Sequence, residues 1–184
     1  MSWVLANLPT IAGHLLAHLL QAVPAIIASF VLAIPIARLA RVARPLRAVL
    51  VTGSSLLYAV PSLALFVILP IILATGIRDP LNVIVALTLY GLALLVPATA
   101  DALDAVDARV LDAATAMGMG RLRCFLTVEL PLAGPAILTG LRVVTVSTIS
   151  LTTVGAVLGV RSLGWLFTDG FQRGITAEIV TGLV

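Results

Sequence analysis

The chain has 184 residues, of which 61% are hydrophobic and 10% charged, and its mean hydropathy is +1.20. Soluble domains carry roughly a quarter of charged residues, so this composition excludes a water-soluble globular protein and points to an integral membrane protein. All eleven basic residues are arginine, which excludes a lysine-dependent phosphate loop and ATP hydrolysis by that route. The pI near 10.0 is not a nucleic-acid signature, because the arginines are scattered among apolar runs with no aromatic-basic platform.

The apolar runs are continuous and do not alternate, which predicts helices and not the strands of a membrane barrel. A helix satisfies its own backbone groups within lipid, and at about 1.5 Å per residue about 20 residues cross a hydrocarbon layer of about 30 Å. The start of the chain lacks the basic residues of a secretory signal, and its apolar stretch continues past Phe30, so it reads as mature chain. The first span runs from about Leu15 to Ala37, interrupted by Pro24 and Pro35, and the second from about Leu46 to Thr75, tilted or broken around Pro61 and Pro70. The third covers about Leu81 to Ala100 and the fourth about Leu132 to Val154. The fifth opens near Ile175; "ITAEIVTGLV" is too short to cross, so this last helix is incomplete at Val184.

Arginine placement sets orientation, because short cytoplasmic loops are enriched in basic residues. Arg38, Arg41, Arg44 and Arg47 follow the first span, and Arg109, Arg121 and Arg123 follow the third. Only Arg78, Arg161 and Arg173 fall on the other side. This asymmetry places the N-terminus outside and residues 101–131 in the cytoplasm.

That stretch is the exception in an apolar chain. Asp101, Asp104, Asp107, Arg109, Asp112, Arg121, Arg123 and Glu129 are eight of the chain's nineteen charged residues. Eight charges at mid-membrane would cost on the order of 20 kcal/mol on translocon scales, so the segment lies in water or against another protein. From Asp101 to Met117 there is neither Pro nor Gly, and Leu103, Val106, Val110 and Met117 fall on one stripe, which predicts a helix. Gly118 and Gly120 predict a turn, and "RLRCFLTVEL" a second short helix before Pro131 opens the fourth span. A thin loop cannot bury such a stripe alone, so a partner with a receiving groove is expected.

Asp112-Ala113-Ala114, three residues, Gly118, nine residues, then Val128-Glu129-Leu130-Pro131 is similar to the "EAA, three residues, Gly, nine residues, Ile, any, Leu, Pro" loop of the permease subunits of bacterial ABC importers. Asp stands for Glu and Val for Ile. The stretches "YAVPSLALF" at 58–66, "LYGLALLVPATADALDAVD" at 89–107, "MGMGRLRCFLTVELPLAGPAILTGLR" at 117–142 and "VGAVLGVRSLGWLF" at 154–167 resemble the osmoprotectant branch, which imports glycine betaine, choline, carnitine and related quaternary ammonium compounds. The resemblance implies an all-α polytopic membrane protein, a single transmembrane permease domain over 1–184 with the type I importer core of about five helices. It implies that two permease chains, identical or homologous, form the pore in the bacterial plasma membrane. The resemblance further implies that a separate cytoplasmic ATPase binds ATP and Mg, with no cofactor on this chain, and that an extracytoplasmic binding protein delivers solute. The loop, about residues 101–131, becomes a coupling helix: Asp112, Ala113, Ala114, Gly118 and Arg121 at the ATPase contact, with Leu130 and Pro131 at its junction to the fourth span. The alanines would permit close approach, and Gly118 a turn that a side chain would obstruct.

Other residues carry two readings. Arg142, about ten residues into the fourth span, lines the pathway or a gate, pairing with an aspartate near Asp101, or snorkels to the interface. Tyr58, Phe66 and Tyr90 line the solute path and attract a quaternary ammonium, or are packing aromatics. Gly155 and Gly159 form a GxxxG that would pack the two permease chains together through a helix face. His14 and His18 share a helix face without a third ligand, so no metal is expected, and Cys124 is a lone thiol. "DALDAVDAR" superficially resembles the aspartate motif of CDP-alcohol phosphatidyltransferases, but after Asp112 no Asp follows until Asp169, so that metal site cannot be completed. An importer permease for another small solute, such as an amino acid, is the nearer alternative.

Overall fold

The computed structural model describes residues 2–42 and 44–183, and the side chains of all of these except 2 and 44–46. Among the described residues the regular structure is entirely helical. The elements are α1 (Ser2–Ala6), α2 (Leu8–Val42), α3 (Arg44–Tyr58), α4 (Ser62–Leu73), α5 (Pro80–Asp104), α6 (Ala108–Ala116), α7 (Arg121–Cys124), α8 (Leu130–Thr152), α9 (Gly164–Arg173) and α10 (Thr176–Leu183). A π-helical turn, Phe125–Glu129, joins α7 to α8, and a 3₁₀ turn, Thr153–Leu158, follows α8.

Three stretches are long and apolar enough to cross a membrane: Leu8–Val42, Pro80–Asp104 and Arg121–Leu158. Together α3 and α4 have the composition of a fourth span that is broken at residues 59–61. Pro61, at φ −58° and ψ 130°, is extended and lacks an N–H, so the helical ladder cannot pass through it. The expected interruption of the first span at Pro24 and Pro35 does not occur, since α2 is helical through both. Neighbouring helices and slight local adjustment relieve a proline in a membrane helix, whereas at Pro61 the chain turns.

The burial pattern is that of a protein solvated by lipid. Along α2 the buried positions are His14, His18, Gln21, Ala22, Ala25, Ser29, Ala33, Ala37 and Ala40, spaced mostly three or four apart, while Leu16, Leu20, Ile27 and Val31 are exposed. Lipid tails are as apolar as leucine, so helices associate through close approach of small residues and not by hiding large ones.

The chain divides into two compact units. One comprises Met1–Ala28, Val60–Tyr90 and Thr145–Val184. Its core joins Ala25, Leu65, Phe66, Leu69, Val83, Ala86, Leu87, Tyr90 and Val160. Gln21 Nε2 donates to the Arg161 carbonyl at 2.7 Å, tying α2 to the segment before α9. The His14 ring stacks on Trp165, centroids 4.7 Å apart and planes 7° from parallel. Gly155 and Gly159 do not form the expected helix-packing pair: Gly155 lies in the 3₁₀ turn, where an added Cβ would stand 3.1 Å from Val83, and Gly159 ends that turn at φ +80°. A 3₁₀ segment with a left-handed end cannot present two glycines one above the other on an α-helical face.

The other unit comprises Ser29–Ala59 and Gly91–Val144. One cluster joins Ala33, Leu95, Val96 and Val144, and a second joins Ala37, Ala100, Ala102, Leu103, Phe125, Ala133 and Ile137. Gly91 faces Ser29 so closely that an added Cβ would collide with the serine side chain.

Candidate functional site

The charged stretch departs from the expected single helix over 101–117. Helix α5 ends at Asp104, residues 105–107 turn, and α6 begins at Ala108. The break comes from Asp107, whose carboxylate caps α6 by accepting from the Arg109 N–H at 2.9 Å. The Arg109 guanidinium also binds that carboxylate, at 3.0 Å from Nη2 to Oδ2. Both contacts favour the ionised form and hold the Asp107 carboxyl below the usual carboxylate range, the side-chain contact with Arg109 more strongly. The stripe therefore does not form one face: Leu103 is wholly buried at the end of α5, whereas Val110 and Met117, beyond the turn, are exposed.

Gly118 makes the expected turn for a different reason than obstruction. It sits at φ +84°, a left-handed conformation that disfavours side chains, yet the space around an added Cβ is empty. The second helix is not separate: α7, the π turn and α8 are continuous, and Pro131 lies within the first turn of α8 without opening a new element. Proline is tolerated there because a π turn precedes it and frees the local ladder.

In α6, Asp112, Ala113, Thr115 and Ala116 are exposed, while Ala114 turns inward and is buried. Gly118 and Arg121 are exposed beyond it. Leu130 is half-buried against the cluster around Phe125, and Pro131 is exposed. The exposed surface of the loop is thus Asp112, Ala113, Met117, Gly118 and Arg121, with Ala114 serving the loop's own packing.

What holds this surface in place is a set of arginines for which sequence reasoning supplies a topological role alone. Arg41 binds the Glu129 carboxylate and also stands 3.3 Å from Asp104, and Arg47 binds Asp104 as well. Arg38 lies over the Phe125 ring, 4.1 Å from its centroid. The side chain of Arg44 lies outside the described residues. These contacts enclose a cavity of about 350 Å³ lined by Arg38, Arg41, Thr115, Arg121, Cys124 and Glu129. The pairing partners lie far apart in sequence, so only the mixed signs of "RLARVARPLR" and the loop could have hinted at it.

The remaining candidates disperse. Arg142 is exposed on α8 and makes no ion pair among the described residues, with no aspartate near Asp101 joining it. Phe66 and Tyr90 are buried in one core, and the Tyr90 hydroxyl donates to the Val60 carbonyl at the break before α4. Tyr58 is exposed at the end of α3. His14 and His18 are buried, Cys124 is a buried free thiol, and no cluster of three metal-ligating side chains occurs among the described residues.

Residues 27–184 match the sequence pattern of the family described as binding-protein-dependent transport system inner membrane component. Over 136 residues the chain is 35% identical to the ergothioneine transport permease/ergothioneine binding protein EgtU of Helicobacter pylori, a match covering 74% of this chain but 24% of that one. Over 168 residues it is 28% identical to the glycine betaine/carnitine/choline transport system permease protein OpuCD of Bacillus subtilis, covering 91% of this chain and 72% of the relative. Among solved structures, an inward-facing MetNI methionine ABC transporter aligns over 100% of this chain and 88% of its own with a TM-score of 0.82 at 20% identity. An amino acid ABC transporter crystallised with histidines aligns over 98% and 85% with a TM-score of 0.76 at 17% identity. At those identities the likeness concerns the fold, which is that of importer permeases.

Proposed function

The chain belongs to the family of binding-protein-dependent transport system inner membrane components, and from that membership we propose that it is the pore-forming permease of an ATP-driven importer of quaternary ammonium solutes. Residues 112–121 form the handle through which a cytoplasmic ATPase moves it. The observation that carries the reading is the loop itself: Asp112, Ala113, Met117 and Gly118 are exposed while Arg41 of α2 grips the two ends of the same loop at Asp104 and Glu129. A surface that is rigidly backed transmits a push, whereas a floppy one absorbs it. Nucleotide then biases a two-state equilibrium of the pore through that contact.

The solute class rests on the relatives, whose names include glycine betaine, carnitine and choline, alongside one that names ergothioneine, itself a trimethylammonium carboxylate. Arginine asymmetry supports an external N-terminus and a cytoplasmic loop. A second permease chain completes the pore, and an external binding protein supplies solute.

The test is co-purification and uptake. Deleting residues 112–118 leaves the chain in the membrane but removes the co-expressed ATPase from the detergent-purified complex, and Ala113→Trp weakens that attachment. ATPase retained at wild-type levels by the deletion overturns the coupling role. Uptake of radiolabelled glycine betaine and choline into cells carrying the complete assembly tests the solute class, and accumulation of amino acids in their place overturns it.

A further inference from the structure

In the unit built from residues 1–28, 60–90 and 145–184, a polar cavity of about 430 Å³ is lined by Arg78, Gly159, Trp165, Thr168, Asp169 and Gln172. None of these residues belongs to the charged loop, and their two charges have opposite sign without pairing to each other. Asp169 is held by Arg173, its Oδ2 3.0 Å from Nη1. Arg78 makes no ion pair among the described residues. Its guanidinium occupies the space beside Gly159, with Nε 3.1 Å from where a Cβ would stand. Trp165 is fixed by its stack on His14 and by the Thr168 hydroxyl, which donates to its carbonyl at 3.1 Å.

We propose that this cavity is a receiving site for a zwitterionic quaternary ammonium carboxylate, with the methylated cation against Trp165 and Asp169 and the carboxylate at Arg78. A lone cation would meet Arg78 as a like charge and a lone anion would meet Asp169, whose charge the exposed Arg173 offsets only in part, whereas a dipolar solute matches both. The indole offers cation-π attraction to an ammonium that cannot donate hydrogen bonds, and Arg78 offers a bidentate fork to a carboxylate. The proposal rests on the function proposed above, which supplies the solute class and puts Arg78 on the external side, where a binding protein releases its cargo.

The test uses the complete assembly of permease, ATPase and an unaltered binding protein, with uptake of radiolabelled glycine betaine and choline measured side by side. Arg78→Gln lowers glycine betaine uptake about tenfold, the worth of one charge-assisted contact, and does not lower choline uptake, which rises where the lost like charge had opposed it. Arg78→Lys retains part of the glycine betaine rate. Gly159→Ala, which displaces Arg78, reproduces the selective loss. Trp165→Leu lowers uptake of both solutes, and Trp165→Phe restores it in part. An unchanged ratio of the two uptakes in Arg78→Gln, or an equal loss of both, overturns the site while the wild type still transports. A wild-type assembly that carries choline but not glycine betaine also overturns it. If the wild type carries neither, the solute class above fails first and this site with it.

Discussion

Arg41 and Glu129 are joined by an ion pair across 88 residues of chain. Arg41 also reaches Asp104, so one guanidinium at the end of α2 fixes both the end of α5 and the π turn that leads into α8. Both Arg41 and Glu129 are mostly buried, with side chains 28% and 14% exposed, where losing one partner leaves the other's charge poorly solvated.

Arg41→Gln therefore destabilises more than Glu129→Gln: it leaves Glu129 without a partner while Asp104 keeps Arg47, whereas Glu129→Gln leaves Arg41 its contact with Asp104. A double-mutant cycle on thermal unfolding in detergent gives a coupling of about 1–3 kcal/mol between the two positions. Coupling within error of zero shows that the pair does not hold the loop.

Protonating Asp107 loosens α6. Its carboxyl titrates below the ordinary value in the folded chain, so its contribution is present above about pH 4 and is lost as pH falls through the lower, folded value. Hydrogen exchange of amides 109–111, corrected for intrinsic rates, accelerates over that acid range. Asp107→Asn keeps the cap and removes the pH dependence, whereas Asp107→Ala exchanges fast at every pH.

Gly118 and Gly120 both have empty space where a Cβ would stand, but only Gly118 has a positive φ, +84°. Gly118→Ala thus costs about 1 kcal/mol of loop stability through backbone strain, Gly118→Asn costs less, and Gly120→Ala is near neutral. Limited proteolysis of the loop in purified protein ranks the three. Equal effects at 118 and 120 contradict the conformational argument.

At Gly164 a Cβ would collide with the backbone carbonyl of Thr153. Backbone cannot move aside as a side chain can, so Gly164→Ala lowers the yield of folded protein and costs upward of about 3 kcal/mol, the upper range for overpacking. Gly13→Ala, on α2 with nothing within 4 Å, is silent or slightly stabilising. Size-exclusion recovery and melting temperature separate the two.

Much of the topology is legible in the sequence because its cause is local. A run of apolar residues long enough for the hydrocarbon layer is a helix whatever its neighbours, and Pro80–Asp104 and Leu130–Thr152 lie close to the expected spans. The turn at Gly118 is legible for the same reason. Asp107 reads in sequence as one more polar position within a helix, since a capping aspartate and a solvated one look alike until the backbone around them is known. The roles of Arg38, Arg41 and Arg47 stay hidden because charge asymmetry suffices to explain arginines near a membrane. Ala113 and Ala114 are indistinguishable in sequence, and only the rotation of α6 exposes one and buries the other.

By itself the amino-acid sequence determined that the chain is helical and embedded in lipid, where most of its spans lie, and that one charged, regularly spaced loop stands apart. Those properties depend on transfer free energies and backbone preferences, which each segment carries alone. Tertiary structure decided which arginines grip that loop, which alanine faces outward, and which charges share a cavity: Arg41 with Glu129, and Arg78 with Asp169. Such relationships depend on distances between residues remote in the chain, and electrostatic and contact energies exist only once those distances are fixed.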